Sequence, residues 1–453
     1  MPNLLDNRTD TERANGPKIL DMPRHVCALG AMQTVQGIHR GVPIVHAGPG
    51  CATKLAAGLA GSSGDSGYIS PQIYPSSNLG EKETVFGGEG RLRETIGNAL
   101  RVVDGDLYVV LSGCTAEIVG DDIGKVAAEF QAQGHPVVHV ETAGFKGSSL
   151  LGHEWVISAI IAQHLVRQPV GEKRKGLVNI WGPVPSQDAF WVGNLRVLES
   201  LVAELGLTPN AVFGEQRGIG NLNRVPQAEF NLLVSPWLGL ANMRELEEAF
   251  GTPYLHLPVL PIGATETSRF LREVGAYASI SAETVESVIE RHEREYYWHL
   301  ERASDVFLEN RTMSRRFSTV TNAADALAIS RFLVNDFGLM PERQYITDAT
   351  PVEHQQRVQA LFADLRPGIG ADVVFSTDGY LVHEDIRRTE WFDPPLILGS
   401  IYEKKLAEEL SGNFLAISTP IKERLILNGT YLGYAGGLKM IEDIYAWVFR
   451  QFN

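Results

Sequence analysis

The sequence predicts an α/β protein whose parallel sheets are covered by helices, and three features carry that reading. Short β-branched runs recur along the chain. Stretches with apolar residues three to four apart lie between them, and charged or glycine-rich segments separate the groups. At 453 residues, with about 150 per domain as a guide, the chain is long enough for about three such units.

Buried strands are expected at 42–46, 107–111, 136–140, 177–180, 211–213, 230–234, 254–258, 372–375, 396–398 and 414–417. These runs are apolar nearly throughout, as strands buried on both faces require. Amphipathic helices are expected at 186–205, 241–250, 323–335, 351–365 and 437–449. The charged stretch 282–310, with ERHEREYYWHLERAS inside it, reads as one long helix. Composition shifts at QPVGEKRKG (168–176) and ENRTMSRRFS (309–318) mark the expected domain boundaries. They give an N-terminal α/β domain 1–172 that carries every cysteine, a middle domain 173–310 ending in the long helix, and a C-terminal α/β domain 311–453. The Gly- and Ser-rich segment 57–71 reads as a loop.

Composition narrows the function. The formal net charge is -14 with no basic stripe, which argues against nucleic-acid binding. No apolar run approaches the ~18 residues of a membrane span. The start, MPNLLDNRTDTERANG, lacks the basic and apolar regions of a secretion signal, so a cytoplasmic location is expected. Familiar catalytic motifs fail on spacing. GDDIGKV at Gly120 has three residues between its glycines and no hydroxyl after Lys125, so it is no P-loop. GIGNLN at Gly218 lacks a third glycine, the histidines form no HExxH pair, and GSSGDSG does not meet the G-x-S-x-G spacing.

What remains is the placement of three cysteines, an odd and sparse set unsuited to a disulfide framework. Cys27, Cys51 and Cys114 lie in HVCALGA, HAGPGCATK and SGCTAEIVGDDI, all in the first quarter of the chain, and the latter two follow expected strands. Residues at the carboxyl ends of parallel strands converge on one crevice, so such cysteines can meet across long sequence separations. Neighbouring glycines, Gly50 and Gly113, let backbone approach a bulky inorganic group. A lone cysteine is most often a small buried hydrophobe. Zinc held with His25 or His46 is also open, although close CxxC pairs are lacking. A four-iron cluster needs four thiolates where this chain offers three, so a ligand from a second subunit would complete it.

These residues resemble the β-type subunit of nitrogenase component 1 and its relatives. The family pattern is matched by Cys27, by His46 to Cys51 as HAGPGC, and by Cys114 to Asp122 as CTAEIVGDD. VFGGEGRLRE at Val85, NIWGPVPSQD at Asn179, PVLPIGATET at Pro258, LILGSIYEKKLA at Leu396, STPIKERL and GYAGG extend the likeness along nearly the whole chain. The resemblance implies three Rossmann-like domains and a heterotetramer with two α-type chains. It further implies an interfacial iron–sulfur cluster, [8Fe–7S] of the P-cluster kind or [4Fe–4S], with Cys27, Cys51 and Cys114 as metal ligands and Gly50 and Gly113 beside it. A homodimeric iron–sulfur ATPase would deliver electrons, which this chain relays to a metal cofactor in the α-type partner; no residue here is expected to be catalytic.

The chain departs from the family's nitrogenases in three places. Gly144 in TAGF stands where they carry a serine, no proline follows Cys27, and only 26 residues precede Cys27. The departures point to a nitrogenase-like paralogue, with methylthio-alkane reductase as the best fit to them and reductive C–S cleavage as the expected reaction. A vanadium or iron-only nitrogenase and a cofactor-maturation scaffold are the alternatives. Glu117, Asp121 and Asp122 are expected to cap the helix that begins there, with docking of the reductase or tuning of the cluster as the alternative. His46 is expected to support the second ligand or simply end a strand, and Phe86 to Gly88 to line the cluster pocket or form a helix entry. Ser148 or Ser149 is a substitute for the lost serine if the loop is rearranged.

Overall fold

The computed structural model describes residues 24–51, 74–309 and 313–450; the expected loop at 57–71 lies outside them. The strands β1 (Gly41–His46), β2 (Leu107–Ser112) and β3 (Val137–Glu141) form a parallel sheet in that order, with His46 opposite Ser112 and Ser112 opposite Glu141. Side-chain alternation decides what each face meets. Val42, Ile44, Tyr108, Val110 and Val137 share one core cluster with Leu92, Ile96 and Ala99 of the helix Glu89–Val102, and with Val126, Ala127 and Phe130 of the helix Ile123–Gln131. Val45, Val109 and Leu111, which point the other way, are also fully buried. Burial on both faces is what made these strands apolar throughout.

A second sheet takes the order β5 (Thr208–Ala211), β4 (Arg174–Trp181), β6 (Ala228–Val234), β7 (Tyr254–Leu257), with β5 and β6 parallel to β4. Three buried asparagines bridge its central strands: Asn210 Nδ2 donates to Asn179 Oδ1 at 2.8 Å, and Asn179 Nδ2 to Asn231 Oδ1 at 2.8 Å. The third sheet runs β11 (Val373–Phe375), β10 (Gln344–Ile346), β8 (Arg316–Thr321), β12 (Leu396–Gly399), β13 (Asn413–Ala416), with the short β9 (Met340–Pro341) against β8. Its central strand β8 was not expected, because RFSTVT is half polar and adjoins a charged stretch. Buried hydroxyls explain how it sits there: Thr319 donates through both its amide and its Oγ1 to Gln344 Oε1, at 3.0 and 2.7 Å. The expected strand at 211–213 meets β5 only at Ala211, and the long helix spans Ala282–Glu309.

The chain falls into two compact units, one of His25–His256 with Arg424–Gly429, the other of Leu257–Glu423 and the residues from Thr430, together with Arg24. Among the described residues no helix is long and apolar enough to cross a membrane.

In the second unit Arg24 is tied into a buried ionic network. Its guanidinium donates to both oxygens of Glu403 at 2.5 and 2.8 Å and to Ser400 Oγ at 2.6 Å, and His383 Nε2 reaches Glu403 Oε1 at 2.9 Å. Burial alone would raise the Glu403 carboxyl, but the charge of Arg24 and the hydrogen bonds from His383 and Arg24 overcome it and hold the group at about 2. A depressed carboxyl contributes stability that is complete above its unfolded value near ~4.3 and is lost as pH falls toward the folded one. Glu403→Ala leaves a buried guanidinium unpaired and is expected to cost about 3–5 kcal/mol at pH 7, read from the urea unfolding curve. The gap between variant and parent should narrow as the pH drops below ~4.

Candidate functional site

Cys27 stands where the chain enters the first compact unit. It precedes a 3-10 turn, Ala28–Ala31, and forms an isolated antiparallel bridge with Ser148, closed by Ala28 N to Gly147 O at 2.9 Å and Ser149 N to Val26 O at 2.8 Å. Cys51 ends the turn that leaves β1, its amide donating to Gly48 O at 3.1 Å. Cys114 is the first residue of the helix Cys114–Val119, which follows β2. Gly113 makes the close approach between these last two turns possible. Its amide donates to His46 O at 2.9 Å, and a Cβ placed on it would stand 2.5 Å from Ala47 Cβ, so no other residue fits. The turns bearing Cys51 and Cys114 therefore leave adjoining strand ends.

Two of the sulfurs converge on Gly144. A Cβ at that position would lie 3.2 Å from Cys27 Sγ and 3.3 Å from Cys114 Sγ, so the two sulfurs are no further apart than those distances together. The Gly144 amide donates to Cys114 Sγ at 3.1 Å. All three cysteines are free thiols, Cys27 exposed and the other two half-buried, so none is walled inside hydrocarbon. Among the described residues, a Cβ on Gly50 would meet nothing within 4 Å. Among the described residues no group of three or more His, Cys, Asp and Glu is arranged to hold a single metal ion. The zinc reading through His46 fails for a further reason, since both ring nitrogens are committed: Nδ1 to Ser77 Oγ at 2.9 Å and Nε2 to Asp121 Oδ2 at 3.0 Å.

The acidic residues after Cys114 divide their work. Asp122 does cap, accepting from Lys125 N at 2.8 Å at the start of the helix Ile123–Gln131. Asp121 instead joins two loops, accepting from His46 and, through Oδ1, from Gly88 N at 2.7 Å. Burial lowers the pKa of His46 against the opposing pull of Asp121, which keeps the ring neutral with its proton on Nε2, since a carboxylate only accepts. A Cβ on Gly88 would come within 2.7 Å of Leu79 Cδ2, 2.8 Å of Asp121 Oδ2 and 3.0 Å of His46 Cε1, so the crowding here accounts for the glycine. Glu117 holds the loop that carries Gly144. Its Oε1 accepts from Ser112 Oγ at 2.6 Å and from Ala143 N at 2.9 Å, while Lys146 Nζ lies 2.6 Å from Oε2.

Sequence reasoning did not anticipate the apolar surface beside these residues. Phe86 is 82% exposed, Ile118 74% and Phe145 62%, with Val85 next to Phe86. Phe86 and Ile118 lie on helices that touch each other, and Phe145 follows Gly144. Exposed large apolar side chains such as these are characteristic of surfaces that other polypeptides cover. The available signal was that these side chains adjoin glycine turns, outside any apolar period.

Comparisons with known proteins agree with this architecture. Residues 27–448 match the profile of the family described as Nitrogenase component 1 type Oxidoreductase. The nitrogenase molybdenum-iron protein beta chain of Clostridium pasteurianum is 23% identical, over 93% of this chain and 92% of its own length. A light-independent protochlorophyllide reductase chain of Bradyrhizobium sp. (strain ORS 278) is 27% identical over 69% of this chain and 58% of its own. Among solved structures, nitrogenase Cp1 at pH 6.5 superposes with a TM-score of 0.79 at 20% identity, covering 96% of this chain and 95% of that one.

Removing the Glu117 carboxylate leaves the Ala143 amide without its acceptor, so Glu117→Ala is expected to destabilise by about 1–3 kcal/mol. Hydrogen exchange should report the loss locally, with faster exchange at Ala143 and Gly144 and unchanged protection in β1 and β2.

Proposed function

Because the chain belongs to the nitrogenase component 1 type oxidoreductases, with the β-type chains among its relatives, we propose that it is the β-type subunit of a nitrogenase-like reductase. In this reading it pairs with an α-type chain in a heterotetramer and shares an iron–sulfur cluster with it, of the [8Fe–7S] or [4Fe–4S] class. Cys27, Cys51 and Cys114 supply the thiolates, and ligands from the partner complete the set. When bound, the cluster supplies one-electron carriage between a docking iron–sulfur ATPase and the metal cofactor of the α-type chain.

The observation that carries the reading is the convergence of Cys27 and Cys114 on a residue without a side chain, on an open surface. Soft thiolates select iron–sulfur clusters, and a backbone amide aimed at a ligating sulfur is one of the means by which a protein sets their potential. Gly144 provides both the room and the amide. Phe86, Ile118 and Phe145 offer the apolar rim against which a partner would exclude water. Three thiols that cannot enclose a metal ion by themselves suit a group held between two chains.

For the substrate, we propose methyl thioethers. The bond broken is C–S; two electrons and two protons convert dimethyl sulfide to methanethiol and methane. Gly144 in place of a hydroxyl residue beside both sulfurs sets this chain apart from the nitrogenase pattern. It is also no more identical to the clostridial nitrogenase chain, at 23%, than to the protochlorophyllide reductase chain, at 27%.

Anaerobic co-purification with the α-type chain tests this. The complex should contain iron, and Cys27→Ala, Cys51→Ala and Cys114→Ala should each remove a large part of it. With the reductase and ATP, dimethyl sulfide should give methanethiol. Ammonia from dinitrogen without methanethiol would overturn the substrate and leave the cluster reading standing. An iron-loaded complex with neither product would favour a maturation scaffold, and a colourless iron-free complex would refute the cluster.

A further inference from the structure

Ser148 carries a hydroxyl that the fold does not use. Its Oγ is buried and has no hydrogen-bond partner among the described residues, although buried polar groups are nearly always paired. It occupies the N-cap of the helix Ser149–Gln163, where a serine ordinarily accepts from an amide of the first turn, yet it makes no such bond. Capping therefore does not account for it.

Its position opposite Cys27 does. In their antiparallel bridge the hydrogen bonds run between the flanking residues, from Ala28 N to Gly147 O and from Ser149 N to Val26 O. Cys27 and Ser148 are thus the non-hydrogen-bonded pair, with Cα atoms about 4.5 Å apart and side chains on the same side. The two Cβ atoms are about 4.5–5.5 Å apart, so rotation about one χ1 angle brings the hydroxyl to the sulfur. That sulfur is the one that shares Gly144 with Cys114.

We infer that the Ser148 hydroxyl donates a hydrogen bond to the Cys27 thiolate when this sulfur binds iron, a role that rests on the cluster reading above. A metal-bound thiolate is a stronger acceptor than a thiol, because the bond to it is charge-assisted. A donor at the sulfur favours the more negative, reduced state of the bound group and raises its potential. Ser148 is then a positioning residue that tunes a ligand without touching iron. Ser149 is the natural control. Its Oγ is also buried and unpaired, but its Cβ lies against the Gly30 turn, where a methyl on that glycine would stand 2.8 Å away.

The test uses the anaerobic complex with its α-type partner and follows the cluster's midpoint potential by electron paramagnetic resonance, alongside iron content. Ser148→Ala should keep its iron and shift the potential to a more negative value, Ser148→Thr should hold the parental value, and Ser149→Ala should not differ from the parent. An iron-loaded Ser148→Ala complex at the parental potential would overturn the inference while leaving the cluster reading intact; so would an equal shift in Ser149→Ala. Should Ser148→Ala fail to load iron, Ser148→Thr against the isosteric Ser148→Val decides: loading and potential kept only by the hydroxyl variant support the role, and equal behaviour of the two refutes it. A parental complex without iron would remove both this inference and the function it rests on.

Discussion

A Cβ on Gly144 would crowd Cys27 and Cys114 together, at 3.0–3.3 Å, and the close approach of the two sulfurs in this site depends on its absence. The two cysteines are 87 residues apart in the sequence, and nothing local to either brings them together. Three tethers do so. The bridge between Cys27 and Ser148 fixes the entering chain to the loop before the helix Ser149–Gln163. Glu117 pins the near end of that loop through the Ala143 amide, and Gly113 seats the Cys114 turn against Ala47. Each tether joins segments more than 20 residues apart, so the site is a product of the finished sheet.

The tethers are polar for a structural reason. Strand ends in a parallel sheet expose amides and carbonyls that no neighbouring strand satisfies, and loops there must find other partners. Glu117 and Asp121 each take one such amide, at Ala143 and Gly88, together with a side chain from another segment, and the His46 ring links Asp121 to Ser77, which ties the loops to one another. The cost is that apolar side chains in the same region have nothing to pack on. Phe86, Ile118 and Phe145 stay on the surface, so the feature that makes the loops rigid also leaves a face suited to another chain.

Much of this could be read from the sequence, and the omissions have physical causes. Strands β1, β2, β4, β6 and β12 were legible because two-sided burial removes polar residues from them. Strand β8 was not, since Ser318, Thr319 and Thr321 are polar yet buried, and Thr319 finds its partner only in the tertiary contact with Gln344. The cysteine turns were legible from glycine beside cysteine at strand ends. The work of Asp121 was not: an acid before a helix reads locally as a cap, and only the neighbouring Asp122 behaves so, because the bond from Asp121 to His46 spans 75 residues. Sequence placed Ser148 near the site but gave no hint of its backbone bridge with Cys27, since cross-strand pairing of two isolated residues leaves no periodic trace.

The charges around the thiols decide what kind of group suits them. Glu117, Glu141, Asp121 and Asp122 surround the Cys114 turn, and each is engaged: Lys146 reaches both glutamates, and Asp121 holds the neutral His46. Burial opposes the charge on Lys146, but its hydrogen bonds to Glu117 and Glu141 outweigh that and raise its pKa, so its proton stays with those carboxylates. Among the described residues of this group, no cation is left to face a bound anion. Adding thiolates to such a neighbourhood raises its negative charge further, and what balances that is a cationic partner at the sulfurs themselves. The iron of the proposed cluster would meet this requirement, whereas a phosphate or carboxylate ligand would add to the negative charge of the described residues around Cys114.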